Sequence, residues 1–275
     1  MARNPVTNHH GVELRLWSTF VNPDLGIARK SRIMGETNKE RLMPKPIDLY
    51  YWPTPNGWKI SIALEEMGLA YDTHLINIGA GEQFAPDFLA IAPNNRMPAI
   101  VDPDGPDDAP VSIFESGAIL QYLARKTGTF CGSTERERIA VDQWLMWQMG
   151  GLGPMAGQAH HFLKYAPFMD PPNDLPYAKD RYRSETARLY GVLDRQLAQS
   201  EFVAGDFISI ADFAVWGWAS LWEGQQQTLE DKPHMARWLQ VMGARPGVQA
   251  GRAVYAEKRA DFAKDKGAQG QLFKK

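Results

Sequence analysis

A small mixed α/β module followed by an all-helical module, with an extension ahead of both, is the architecture this sequence predicts. Three observations predict it. Strand and helix patterns alternate from Ile47 to residue 128, strand patterns stop after "GTFCGSTER", and long helical patterns then run to residue 260. At 275 residues the chain is long enough for one large domain or for two smaller ones around separate cores, and the second is the expectation.

The elements follow in order. Residues 1–46 hold eight Lys/Arg against four Asp/Glu and little periodicity. They close on "MPKPID", where Pro44 and Pro46 oppose helix and favour an extended entry. Leu14, Leu16, Trp17 and Phe20 give this arm something to bury, against the body or a partner subunit; a lid near a cleft is the sharper alternative. "IDLYYW" is a β-rich first strand. "GWKISIALEEMGL" then sets Ile60, Ala63, Leu64 and Met67 on one helical face, with Gly68 at the left-handed cap. "AYDTHLINI" is a second strand, and "GAGEQFAPDFLAIAP" a loop with a short helix. "MPAIVD" and "APVSIF" form a hairpin, followed by the helix "ESGAILQYLARKTG". Residues 129–134 read as a linker and 135–260 as a helical bundle. A polar tail occupies 261–275. "MGGLGPM" interrupts the first long helix of the bundle, because Gly150, Gly151, Gly153 and Pro154 all weaken or kink it.

Composition narrows the function. Hydrophobic residues make up 44% and charged residues 23%, ordinary for a globular protein. A net charge of −2 provides no field to recruit nucleic acid or an anionic membrane. No run of eighteen apolar residues occurs, and the N-terminus lacks the apolar region of a secretory signal. The single cysteine, Cys131, excludes an internal disulfide framework and fits a reducing compartment, so a cytoplasmic location is expected. No metal site is expected either: His160 and His161 are adjacent on a helix and diverge by about 100°. They read as surface or interface residues.

Three stretches carry the chemistry. "YYWPTPNGWK" is a strand, a tight turn and a helix start, the junction where a thiol-redox protein places its reactive cysteine; here it holds Thr54, Pro55 and Asn56. "NNRMPAIVD" puts Pro98 at the head of a strand. With a cis Met97–Pro98 bond, the Met97 backbone would face a cleft and pair with an extended peptide ligand; otherwise Pro98 is an edge-strand proline. "FESGAI" sets Glu115 and Ser116 at a helix start, where free N–H groups and the Ser116 hydroxyl suit a carboxylate and Glu115 suits an ammonium. Simple helix capping explains Ser116 equally well. In "DFISIADFAVW", Ser209 is a natural N-cap with Asp212 reaching back from N3, and Ile208 with Phe213 closes a staple; this is a folding device with no catalytic role.

Together these stretches resemble the glutathione transferases, over about residues 47–258. "PTPNG", "PNNRMPAIVD", "FESGAILQYLA", "WQMGGLGPMAGQAHHF" and "IADFAVW" resemble the bacterial Nu class of that family. The resemblance implies a thioredoxin-like glutathione-binding half, an all-α half that covers the second substrate, and a homodimer. Residue by residue it implies Thr54 and Asn56 beside the glutathione sulfur, and Met97 with Pro98 on the cysteinyl unit. Glu115 and Ser116 would hold the γ-glutamyl head, Gln83 would reach glutathione from its loop, and Arg181 would cross a dimer interface. Tyr165, Phe168 and Trp222 are placed to wall an aromatic substrate.

With no cysteine nearby, "PTPNG" reads as a cradle for a thiolate that the ligand brings. A helix N-terminus favours a nearby anion by about 0.3–2 kcal/mol, and a hydroxyl hydrogen bond to a charged acceptor adds roughly 1.5–3 kcal/mol. At about 1.36 kcal/mol per unit, the two lower a thiol pKa by one to three units from about 8.5. Thiolate is the nucleophile, so the sulfur would be glutathione's own. Whether Tyr50 or Tyr51 swings in to assist is open, and Cys131 reads as a small packed thiol. The expected activity is glutathione-dependent thiol–disulfide oxidation–reduction or peroxide reduction, drawing on one or two glutathiones or the disulfide. A transferase or lyase acting on aromatic electrophiles or ethers, and a non-catalytic glutathione-binding module, are the alternatives.

Overall fold

The computed structural model describes residues 44–169 and 172–259, which belong to one compact unit. The arm before Pro44 and the tail 261–275 lie outside the described residues.

Four strands form one sheet in the order β2-β1-β3-β4. Strand β1 (Ile47–Tyr51) runs parallel to β2 (Tyr71–Leu75), with Leu49 opposite Thr73. Strands β3 (Ala99–Asp102) and β4 (Val111–Phe114) are the expected hairpin, and β3 lies antiparallel to β1. The β1–β2 crossover is helix α1 (Pro55–Met67), started by Thr54 and Pro55 and stopped by Gly68 in a left-handed conformation. Helix α2 (Pro86–Ile91) precedes β3, and α3 (Ser116–Thr127) follows β4. This is the thioredoxin-like half.

The helical half holds α4 (Glu135–Trp147), α5 (Gly153–His160), α6 (Pro176–Leu197), α7 (Ile210–Ala219), α8 (Pro233–Gly243) and α9 (Pro246–Ala253). Where the glycines predicted a kink, the chain makes a π-helical turn over Gln148–Leu152, and a second one over His161–Tyr165. The wider ring takes up an extra residue without ending the helix. The capping box on α7 forms as the sequence implies: Ser209 accepts from the Ala211 N–H, and Asp212 accepts from the Ser209 N–H at 2.9 Å.

Separate cores are not what the chain builds. Among the described residues, one cluster runs through both halves, from Leu49 and Ile62 to Leu145, Phe213 and Trp238, and a small satellite of Ile76, Phe88, Ala92 and Ala99 sits apart under α2. The reason lies in α1, which is buried nearly all round because α3, α7 and α9 pack against it on different sides. Gly217 of α7 comes so close that a Cβ there would stand 2.6 Å from Pro55 O. Arg245 also ties α8 and α9 to α1 through a two-pronged ion pair with Glu66, at 3.0 and 2.6 Å. Among the described residues, no helix is long and apolar enough to cross a membrane.

Candidate active site

The first turn of α1, the Met97–Pro98 bend, the head of α3 and the first π turn converge on one cavity of about 830 Å³ between the sheet half and the helical half. Thr54, Asn56, Gln83, Met97, Pro98, Glu115, Ser116 and Tyr165 all line it.

Thr54 stands at the N-cap of α1, and its Oγ1 accepts from the Gly57 N–H at 3.2 Å. Among the described residues its hydroxyl proton has only the Met97 Sδ, at 3.8 Å, to point at. Pro55 has no N–H and Trp58 N donates to Thr54 O, which leaves the Asn56 N–H as the open donor of this turn. The Asn56 side chain is oriented from across the cleft. Trp218 Nε1, a donor only, lies 3.0 Å from Asn56 Oδ1, so the Asn56 NH₂ is left facing away from the indole. The site can therefore supply a hydroxyl, a backbone N–H and an amide at the positive end of a 13-residue helix.

The Met97–Pro98 peptide bond is cis, and both residues face the cavity. Gln83 is 4% exposed, and its Oε1 has no partner among the described residues. A buried amide oxygen left open in a cavity wall is a group awaiting a donor. At the head of α3 the expected assignment shifts by one residue: Glu115 occupies the N-cap with φ of 71°, and Ser116 is the first helical residue without a capping bond. That φ is unusual for a residue with a Cβ and costs roughly 1–3 kcal/mol. It sets the Glu115 carboxylate beside Asn94, 3.4 Å away, at the cavity rim.

Several lining residues escaped the sequence. Lys59 is buried on α1, with Nζ 2.9 Å from Gln148 Oε1; burial pulls it down to about 7, against the opposing pull of Glu115. His160 is buried rather than on the surface, edge-on to Tyr165 at 5.1 Å, and lines the cavity. Burial, with Lys164 and Arg259 adding, holds it down to about 4, so it is neutral at physiological pH. A lone Lys in an apolar run and one His of a pair gave no signal beyond their neighbours.

Other expected residues fall elsewhere. Phe168 is exposed, and Trp222 packs on the helical core; Leu221 and Trp218 line the cavity in its place. Arg181 is exposed on α6, away from the cavity lining. Tyr51 is buried in the core with its hydroxyl on Val254 O, and burial pushes it up to about 12. Tyr50 stacks on His74. Neither tyrosine lines the cavity. Cys131 is half-buried against the main core, outside the cavity. No group of three or more His, Cys, Asp or Glu fit to hold a metal ion occurs among the described residues.

A thioredoxin-like sheet half whose helix start faces a cleft roofed by an all-helical half defines the class of the glutathione transferases. The family models agree: the glutathione S-transferase N-terminal domain matches residues 45–125 and the C-terminal domain residues 155–246. The disulfide-bond oxidoreductase YfcG of Escherichia coli is 50% identical over 73% of this chain and 91% of its own. YghU of Escherichia coli, also named a disulfide-bond oxidoreductase, is 36% identical over 87% of this chain and 86% of its own. A glutathione transferase from Burkholderia graminis, solved with two glutathione molecules per subunit, is 41% identical. It superimposes with a TM-score of 0.72, covering 80% of this chain and 92% of that one. One from Pseudomonas putida, with one glutathione disulfide per subunit, is 40% identical with a TM-score of 0.71, over 78% and 94% of the two chains. This chain belongs to the glutathione transferase superfamily of enzymes.

Proposed function

We propose that the chain is a glutathione-dependent thiol–disulfide oxidoreductase in which bound glutathione, and no cysteine of the protein, supplies the reacting sulfur. The observation that carries this reading is Thr54: a hydroxyl with no strong acceptor of its own, at the N-terminus of α1, in a cavity that Cys131 does not line. The relatives named for disulfide chemistry, and those solved with two glutathiones or the disulfide, support it.

Thr54 and the Asn56 N–H stabilise the thiolate. Met97 pairs by its backbone with the cysteinyl unit, and Pro98 shapes that bend. Glu115 and Ser116 hold the ammonium and carboxylate of the γ-glutamyl head, and Gln83 accepts from the ligand. The thiolate attacks one sulfur of a small disulfide, forming a mixed disulfide and expelling the other half as a thiolate. A second glutathione thiolate then attacks the glutathione sulfur of the mixed disulfide and releases the second thiol and glutathione disulfide. Two glutathiones are oxidised and one disulfide reduced, with protons returned to the two product thiols. The enzyme contributes orientation and charge stabilisation. The same thiolate serves peroxide reduction. Arg181 is assigned to the partner subunit's ligand in a homodimer, and the location is cytoplasmic.

The test is reduction of a small model disulfide by glutathione with the Cys131→Ser protein, coupled to glutathione reductase. Turnover within about twofold of wild type is expected, since a residue away from reacting atoms contributes little. Loss of turnover in that variant alone would make Cys131 a participant and overturn the reading.

A further inference from the structure

Lys59 lines the cavity and is 1% exposed, yet no ion pair reaches it among the described residues. Its Nζ stands 2.9 Å from Gln148 Oε1, 3.5 Å from Ser116 Oγ and 3.5 Å from Met149 Sδ. An ammonium has three protons and no lone pair, and here it meets three acceptor atoms from two other elements, α3 and the first π turn. As packing alone, a methionine or leucine would fill this space without desolvating a charge.

The ammonium decides what its neighbours offer the cavity. Ser116 Oγ accepts from Lys59, so its own proton is free for another acceptor. Within the chain that acceptor is the thioether of Met149, at 3.6 Å. An arriving carboxylate oxygen is a far better one. Gln148 has its Oε1 committed to Lys59, and its Nε2 is a buried donor without a partner among the described residues.

We propose that Lys59 is the positioning residue for the anionic head group of the ligand: as an ammonium it turns Ser116 into a donor and adds positive charge behind the head of α3. This rests on the glutathione reading above. A bound carboxylate favours the ammonium, so the complex holds the proton more tightly than the free protein. Affinity is then complete below the free-protein value of about 7 and declines as pH rises above it. Among charged groups facing this end, Glu115 at the head of α3 is the one that acts on Lys59, in favour of its charge. From α7 the residue against the Lys59 stem is Gly217, and on the α9 side Arg252 lies over Trp58. Arg96, His160, Lys164 and Arg259 line other parts of the same cavity, and His160 is already neutral in this range.

The experiment is calorimetric titration with S-methylglutathione, which has the head group and no thiol to ionise. It is run in buffers of different ionisation heat over roughly pH 6 to 8, on wild type and Lys59→Met. Wild type is expected to take up a proton, with affinity falling toward about tenfold per pH unit at the upper end. Lys59→Met is expected to bind at least about tenfold more weakly, with no proton uptake and a pH-independent Kd. Wild-type binding that is pH-independent and free of proton exchange overturns the proposal and leaves the glutathione reading intact, and this arm needs no folded variant. Unchanged proton uptake in Lys59→Met also overturns it. Absence of any wild-type binding removes both proposals together.

Discussion

The Thr54 hydroxyl accepts one backbone N–H and has a single weak acceptor for its own proton, which is the condition of a side chain waiting for an anion. Thr54→Ala is expected to lower the glutathione-dependent rate by roughly 10- to 100-fold, from the loss of one hydrogen bond to a charged acceptor. Cys131→Ser should stay near wild type. Steady-state rates against a model disulfide check this, and equal losses in the two variants would contradict it. Much of this site was legible because a β–turn–α junction, an X-Pro bend and a helix head each announce themselves by local chemistry. Lys59 was not, since it sits one residue before the apolar face of α1 and reads as its solvated edge. Only the packing of α3 and α7 around that helix turns the edge inward. Trp222 was expected at the cavity, but α7 ends at Ala219 and the chain changes helical type just after it, so Leu221 and Trp218 take that wall.

At the scale of elements, the glycine and proline run after Trp147 predicts a weakened or kinked helix, and the chain makes a π-helical turn there without ending the helix. Both π turns deliver cavity residues, Gln148 and Met149 from the first and Lys164 and Tyr165 from the second. Periodicity of 3.6 residues does not reveal one inserted residue. The first turn of α1 has no such slack: a Cβ on Gly57 would stand 2.3 Å from Trp52 O and 2.8 Å from the Tyr51 ring. Gly57→Ala should therefore displace the Thr54 cap and weaken glutathione binding by about tenfold or more, a shift of at least roughly 1.4 kcal/mol. Calorimetric titration with S-methylglutathione checks this, and unchanged affinity would show that the turn relaxes freely.

Strand β3 and helix α3 are joined by Asp102, which is fully buried and accepts from the Tyr122 hydroxyl and the Lys126 ammonium, each at 2.6 Å. Burial pushes its carboxyl up, but these bonds, with the Asp104 N–H, outweigh burial and hold it below the ordinary carboxylate value. A depressed carboxyl stabilises the fold above its unfolded value, and that contribution is lost as pH falls through the folded one. Asp102→Asn should cost about 1–3 kcal/mol at neutral pH and flatten the acid limb of the stability curve. Denaturant melts at neutral and acid pH measure both effects.

For the whole molecule, the sequence separated an α/β half from a helical half, and it is the burial of α1 from several sides that fuses their cores. Composition does not show that fusion, because the contacts joining the halves, Asn56 to Trp218 and Glu66 to Arg245, span more than 160 residues of chain. Unfolding of the described body is expected as one cooperative transition seen alike by tryptophan fluorescence and far-ultraviolet dichroism. Two resolved transitions would show that the halves stand alone. Arg245→Ala should lower stability by roughly 1–3 kcal/mol by leaving the buried Glu66 carboxylate without its partner.

In the proposed function this chain lends charge stabilisation to a sulfur that its ligand brings. The ultraviolet absorbance of the thiolate, followed against pH with glutathione bound to wild type and to Thr54→Ala, tests it most directly. The bound thiol pKa is expected to be lowered by about one to three units from 8.5 in wild type and returned by about one to two units in the variant. A bound thiol that titrates as in free solution, or equally in both proteins, would contradict it.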